Sequence, residues 1–135
     1  ANAAAASGLE VIMFFTCWGV NLLKREGKRW RGDNWISRLI NLLAGGGTGR
    51  PGLSKFNFLG LGSWLMRRQM VYRDLQSLPE LMADAHELGV QFYVCDNPLE
   101  LFGLKQEDLI PQVKEVIGAA SYVRKTLGSD ITLFI

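Results

Sequence analysis

FYVCDNPLELFG (residues 92–103) begins as an apolar run and ends in a turn and a short helix, with a cysteine at the junction. The run extends back to VQFYVC (90–95), which is short, β-branched and aromatic, and bounded by Gly89 before it. Such a run without alternation reads as a strand buried on both faces of a parallel sheet. Asn97 and Pro98 suit the cap and first residue of the helix that follows. Cys95 is therefore either a working thiol at a strand end or a small apolar residue that closes a strand.

Working outward, the chain alternates strands and helices. LEVIMFF (9–15) is another apolar run of strand length, VKEV (113–116) a third, and ITLFI (131–135) a fourth. Between them, CWGVNLLKRE (17–26) reads as a short helix with Thr16 available as its cap, and DNWISRLINLLA (33–44) as an amphipathic one. A further helix is expected across 61–72. Ser77-Leu78-Pro79-Glu80 is a capping box that opens a helix ending at Gly89. QEDLI is a short helical piece, and GAASYVRKTLG (118–128) the last helix. The order predicts an α/β fold, a three-layer α/β/α arrangement on a parallel sheet with four visible strands. The alanine-rich start, ANAAAASG, reads as the end of a helix whose beginning is absent.

The 135 residues form one domain of 1–135 with 48% hydrophobic content, enough to bury one core. No apolar stretch reaches the roughly 20 residues that a bilayer-spanning helix needs. Two distant cysteines and no secretory signal argue against a disulfide framework and for the cytoplasm. The net charge of +2 hides an asymmetry. Residues 1–73 carry eleven basic and three acidic side chains, residues 74–135 four and ten. Two oppositely charged surfaces that attract each other, within or between subunits, account for that pattern most simply.

Other constellations carry less. GTGRPG (47–52) has the letters of a dinucleotide fingerprint, but it follows a helix rather than a strand and reads as a loop. His86 is the single histidine, with no second ligand at metal spacing, so neither a metal nor a cofactor is expected. KREGKRWR (24–31) and MRRQMVYR (66–73) interleave Trp30 and Tyr72 with basic residues. They resemble a weak nucleic-acid or membrane-surface patch, with subunit packing the commoner outcome; nucleic acid is the least favoured partner.

In open parallel sheets, reactive groups gather beyond the carboxyl ends of the strands. Cys95 ends one predicted strand and Cys17 lies two residues past another, so parallel strands put both thiols toward one edge. A following helix start would stabilise a thiolate at Cys95. Asp96 opposes that by its charge. The functional reading of Cys95 requires its sulfur to be open to a visiting thiol.

Taken together, ANAAAASGLEVIMFFTCWGVNLL (1–23), LSKFNFLGLGSWLMRR (53–68), LPELMADAHELGVQFYVC (78–95), GLKQEDLIPQVKEVIGAASYV (103–123) and ITLFI resemble successive signatures of the DsrE/DsrF-like superfamily, in its peroxiredoxin-like branch. The resemblance implies a five-stranded parallel sheet in the complete fold, so that an N-terminal strand and half-helix would be missing here. It implies a homo-oligomer, a trimer or a multiple of one, and sulfur transfer through cysteine persulfides with TusA-like or rhodanese-like partners. The family's recurrent cysteine falls on Cys95, which would be the persulfide carrier. Asp96, Asn97, Pro98, Leu99 and Phe102 would line the site, with Leu101 at its mouth. The branch commonly continues with small polar residues and methionines, where this chain has DNPLE. It often has phenylalanine where Cys17 stands, so Cys17 inherits no role and is a candidate auxiliary, resolving thiol. The alternative is a non-catalytic oligomeric or membrane-surface module, peripheral to the membrane, whose cysteines are structural.

Overall fold

The computed structural model of the protein describes residues 1–25, 34–44 and 61–133. Within them the order is α1 (Asn2–Ala6), β1 (Ile12–Phe15), a 3₁₀ segment (Cys17–Leu23), α2 (Trp35–Ala44), α3 (Leu61–Tyr72), α4 (Leu78–Glu87), β2 (Gln91–Cys95), α5 (Asp96–Phe102), a 3₁₀ turn (Gln106–Asp108), β3 (Val113–Ile117) and α6 (Ala119–Thr126). The loop at 47–52, and all of the basic cluster 24–31 beyond Lys24 and Arg25, lie outside the described residues.

The sheet is parallel, with β2 between β1 and β3. Phe15 stands opposite Val94, and Cys95 opposite Ile117. The β2–β3 register slips between Phe92 and Tyr93, because one extra residue, Lys114, is accommodated on β3. The described residues thus form three strands rather than four. Residues 131–133 have no strand partner, and Ile131 and Leu133 are exposed. An apolar run alone does not make a strand: it needs a neighbouring backbone to satisfy its amides.

Alternation along β2 sends Phe92 and Val94 to one face and Tyr93 to the other. On the first face, Val94 joins Val20 and Leu23 of the 3₁₀ segment, Leu99 and Phe102 of α5, and Leu109. Phe92 packs there with Ala85 of α4, and Phe15 meets the Phe92 ring edge-on at 5.6 Å. On the second face, Tyr122 of α6 stacks on Phe14 at 4.2 Å, while the ammonium groups of Lys125 and Lys114 lie 4.8 and 5.7 Å from the centre of the Tyr93 ring. Helices therefore cover both faces, as the three-layer expectation requires. Each fully buried side chain of this size stabilises the fold by about 1.5–3 kcal/mol relative to exposure.

Local signals fix the helix ends. Ser77 caps α4, its N–H donating to the Glu80 carboxylate at 2.7 Å and its hydroxyl at 2.8 Å. Those bonds hold the Glu80 carboxyl below its ordinary range. Asn34 accepts the Ser37 N–H at 2.8 Å and so opens α2. The expected helix 17–26 is instead a tighter 3₁₀ segment that stops at Leu23, because Lys24 pairs with Leu109 across an antiparallel bridge. That contact ties the segment to the chain just after the 3₁₀ turn Gln106–Asp108.

Candidate functional site

Because β1 and β2 are parallel neighbours, the chain just past Phe15 and the end of β2 reach the same edge of the sheet. Both cysteines therefore belong to that edge, and β3 brings Gly118 to it as the cap of α6. Their environments differ in the opposite sense to expectation. Cys17 is exposed, whereas Cys95 is buried, with 4% of its surface accessible. Cys17 also adopts a φ of 47°, a left-handed conformation that costs a cysteine energy. The open sulfur expected at position 95 is thus a covered one.

The reason lies in where α5 starts. Cys95 itself occupies the cap position and Asp96 is the first helical residue, two residues earlier on each count than Asn97 and Pro98. Asn97 and Pro98 are consequently the second and third residues of the helix. The strand passes into the helix with no intervening turn, so the Cys95 side chain stays within the packed layer. Asp96 Oδ1 accepts the Asn97 N–H at 2.7 Å and lies 3.7 Å from Cys95 Sγ, which donates to it. Asp96 Oδ2 lies against Gly118, where an added Cβ would approach it to 3.3 Å. Pro98 has no amide hydrogen to offer. The helix tip expected to stabilise a thiolate is therefore occupied by the Asp96 carboxylate.

The other expected lining residues divide. Asn97 is exposed, Pro98 is buried, and Leu99 and Phe102 belong to the core at 5% and 4% exposure. Leu101 is exposed and faces away from that core. Phe102 is flanked by Trp18, ring centres 5.8 Å apart, and by the Lys24 ammonium 5.0 Å from its ring centre. Lys24 is itself buried, and burial lowers its pKa to about 8. Asn21, also buried, has no hydrogen-bond partner for Oδ1 among the described residues. Sequence reasoning passed over Lys24, Asn21 and Gly118. The signal for the first two was polar residues set in the apolar segment CWGVNLLK, and for Gly118 a glycine directly after a strand.

The basic cluster 66–73 falls largely on α3. There Leu61, Trp64, Leu65 and Tyr72 form one exposed stripe at helical spacing, and the Arg68 guanidinium lies 5.4 Å from the centre of the Trp64 ring. On α2, Trp35, Ile36 and Leu39 are likewise exposed. Among the described residues, no helix is long and apolar enough to cross a membrane.

Comparison with known proteins adds to this geometry. The model of the DsrE/DsrF/DrsH-like family matches residues 1–134. An uncharacterized protein of Bacillus subtilis (strain 168), YrkE, is 31% identical over 135 residues, covering 100% of this chain and 84% of that protein. The sulfur carrier protein DsrE2 of Allochromatium vinosum is 30% identical over 147 residues, covering 100% of this chain and 85% of that protein.

Proposed function

The chain belongs to the DsrE/DsrF/DrsH-like family, and from that premise we propose that it is a sulfur carrier in which Cys95 holds the transferred sulfur as a persulfide. Family membership and the 30% identity to a sulfur carrier support a sulfur-related role. The observation that carries the assignment to Cys95 is its place at the carboxyl end of the central strand, between the ends of β1 and β3. Cys95 loses its proton and attacks the outer sulfur of a donor persulfide. A new S–S bond forms at Cys95, the donor's S–S bond breaks, and the donor leaves as a thiol that takes up the proton. Transfer to an acceptor thiol is the same exchange in reverse. TusA-like or rhodanese-like proteins are the donors and acceptors of this reading, and the chain acts as a homo-oligomer.

Burial of Cys95 sets a condition on the reaction. It sits at the junction of β2 with the seven-residue α5, a short element whose local opening costs less than global unfolding. Loading is tested by incubating the protein with a persulfide donor and reading the intact mass. One added sulfur atom on the wild type, absent from Cys95→Ser, is expected. No addition, or equal addition to both, overturns the assignment.

A second reading has its own support. The exposed apolar stripes on α2 and α3, beside Arg67 and Arg68, suit a module whose work is to bind another surface, with Cys95 a core residue. In that case a labelling reagent reaches Cys95 only on unfolding.

A further inference from the structure

We infer that Asp96 sets the charge selectivity of Cys95, disfavouring free anionic sulfur donors and leaving donors that are neutral or whose charge is compensated by their own protein. The inference rests on the carrier reading of Cys95 and deepens it by naming the donor class. Asp96 Oδ1 is 3.7 Å from the reacting sulfur, closer than a solvated counter-charge would stay. The Asn97 N–H holds the carboxylate there, donating to Oδ1 at 2.7 Å, and Oδ2 lies in the space beside Gly118. A larger residue than glycine at 118 would crowd that oxygen, with Cβ at 3.3 Å. The carboxylate is thus held beside the sulfur, and Cys95 is otherwise screened from water.

Two negative charges at this separation repel far more strongly at a partly buried site than in bulk water. An anion approaching Sγ meets that field in addition to whatever thiolate is present. Other charged groups belong to the elements around this edge. Glu100 lies one turn further along α5 and is exposed; β3 carries Lys114 and Glu115, and α6 carries Arg124 and Lys125. Lys114 and Lys125 are engaged over Tyr93, and Lys24 over Phe102. The hydrogen bonds to the Asp96 carboxylate come from Cys95 and Asn97. Among the described residues, its charge is the one in hydrogen-bond contact with the sulfur.

Two alkylating probes of similar size, neutral iodoacetamide and anionic iodoacetate, test this in a Cys17→Ser background. Each loses iodide to the same sulfur, so the ratio of their rates cancels the thiolate fraction and reports the charge felt by the reagent. The ratio of the neutral to the anionic rate is expected to fall about fivefold in Asp96→Asn and in Asp96→Ser. Glu100→Gln is expected to leave it unchanged. Equal ratios in the parent and both Asp96 variants, or an equal fall in Glu100→Gln, overturn the inference. Sulfur loading measured on the same proteins separates the two readings. Loading that persists while the ratios are equal removes only the role of Asp96. A fivefold fall without any loading removes only the carrier. Failure of both probes to reach Cys95 in the folded protein removes both.

Discussion

At the scale of the residue, the decisive contrast is between two cysteines at one sheet edge, one exposed and strained, the other covered and bonded to a carboxylate. The position of Cys95 at a strand end was legible, because an apolar run followed by Asp-Asn-Pro marks the change from strand to helix. Its burial was not, since that depends on a start of α5 two residues earlier than a cap at Asn97 implies. Lys24 makes the same point. Its place at the end of the apolar segment CWGVNLLK signals burial, but nothing local says that its ammonium will end up beside the Phe102 ring. The consequence is measurable. Its pKa is about 8 in the folded protein against 10.5 unfolded, so between these values the unfolded chain binds more protons. Stability to denaturant should therefore rise with pH, by about 1 kcal/mol from pH 8.5 to 9.5. Lys24→Met should remove that rise. A slope that is flat in the wild type, or unchanged in the variant, contradicts the burial of this amine.

At the scale of the element, most helix-end signals stand as expected, the cap at Asn97 being the exception, and those requiring a partner do not. The capping box at Ser77, the helix ended by Gly89 and the helix over 61–72 stand as expected. Gly103 ends α5 at a φ of 60°, and the Leu104 N–H closes the turn on Leu99 at 2.9 Å. ITLFI had the composition of a strand, yet residues 131–133 lie along no neighbour, and composition says nothing about which backbone is available to pair. α5 offers a test within one helix. Leu99 is in the core and Leu101 is 67% exposed. Leu99→Ala should cost about 2–5 kcal/mol in chemical denaturation. Leu101→Ala should fall within about 0.5 kcal/mol of the parent. Similar losses for the two would mean that α5 does not present this face to the sheet.

At the scale of the whole molecule, a three-stranded parallel sheet with helices on both faces brings both cysteines to one edge, and the fold class followed from the alternation of elements alone. What alternation could not reveal is how much apolar surface the finished chain leaves uncovered. Leu61, Trp64, Leu65 and Tyr72 lie along one side of α3, and Trp35, Ile36 and Leu39 are open on α2. The charge asymmetry supplies a complement, a basic first half and an acidic second half. An assembly larger than the monomer is therefore expected in sedimentation velocity at micromolar concentration. Trp64→Asp combined with Leu65→Asp should shift it to monomer without loss of secondary structure. A wild-type protein already monomeric under those conditions contradicts the assignment of this stripe to a subunit interface.

The carrier account depends most directly on where a transferred sulfur comes to rest. After reaction with a persulfide donor, peptides of the wild type, Cys17→Ser and Cys95→Ser can be compared by mass spectrometry with the free thiols blocked. The account predicts one extra sulfur on the peptide containing Cys95 in the first two proteins, lost when an acceptor thiol is added, and none in the third. Extra sulfur confined to Cys17, or a Cys95 peptide that never gains it in the folded protein, would contradict it.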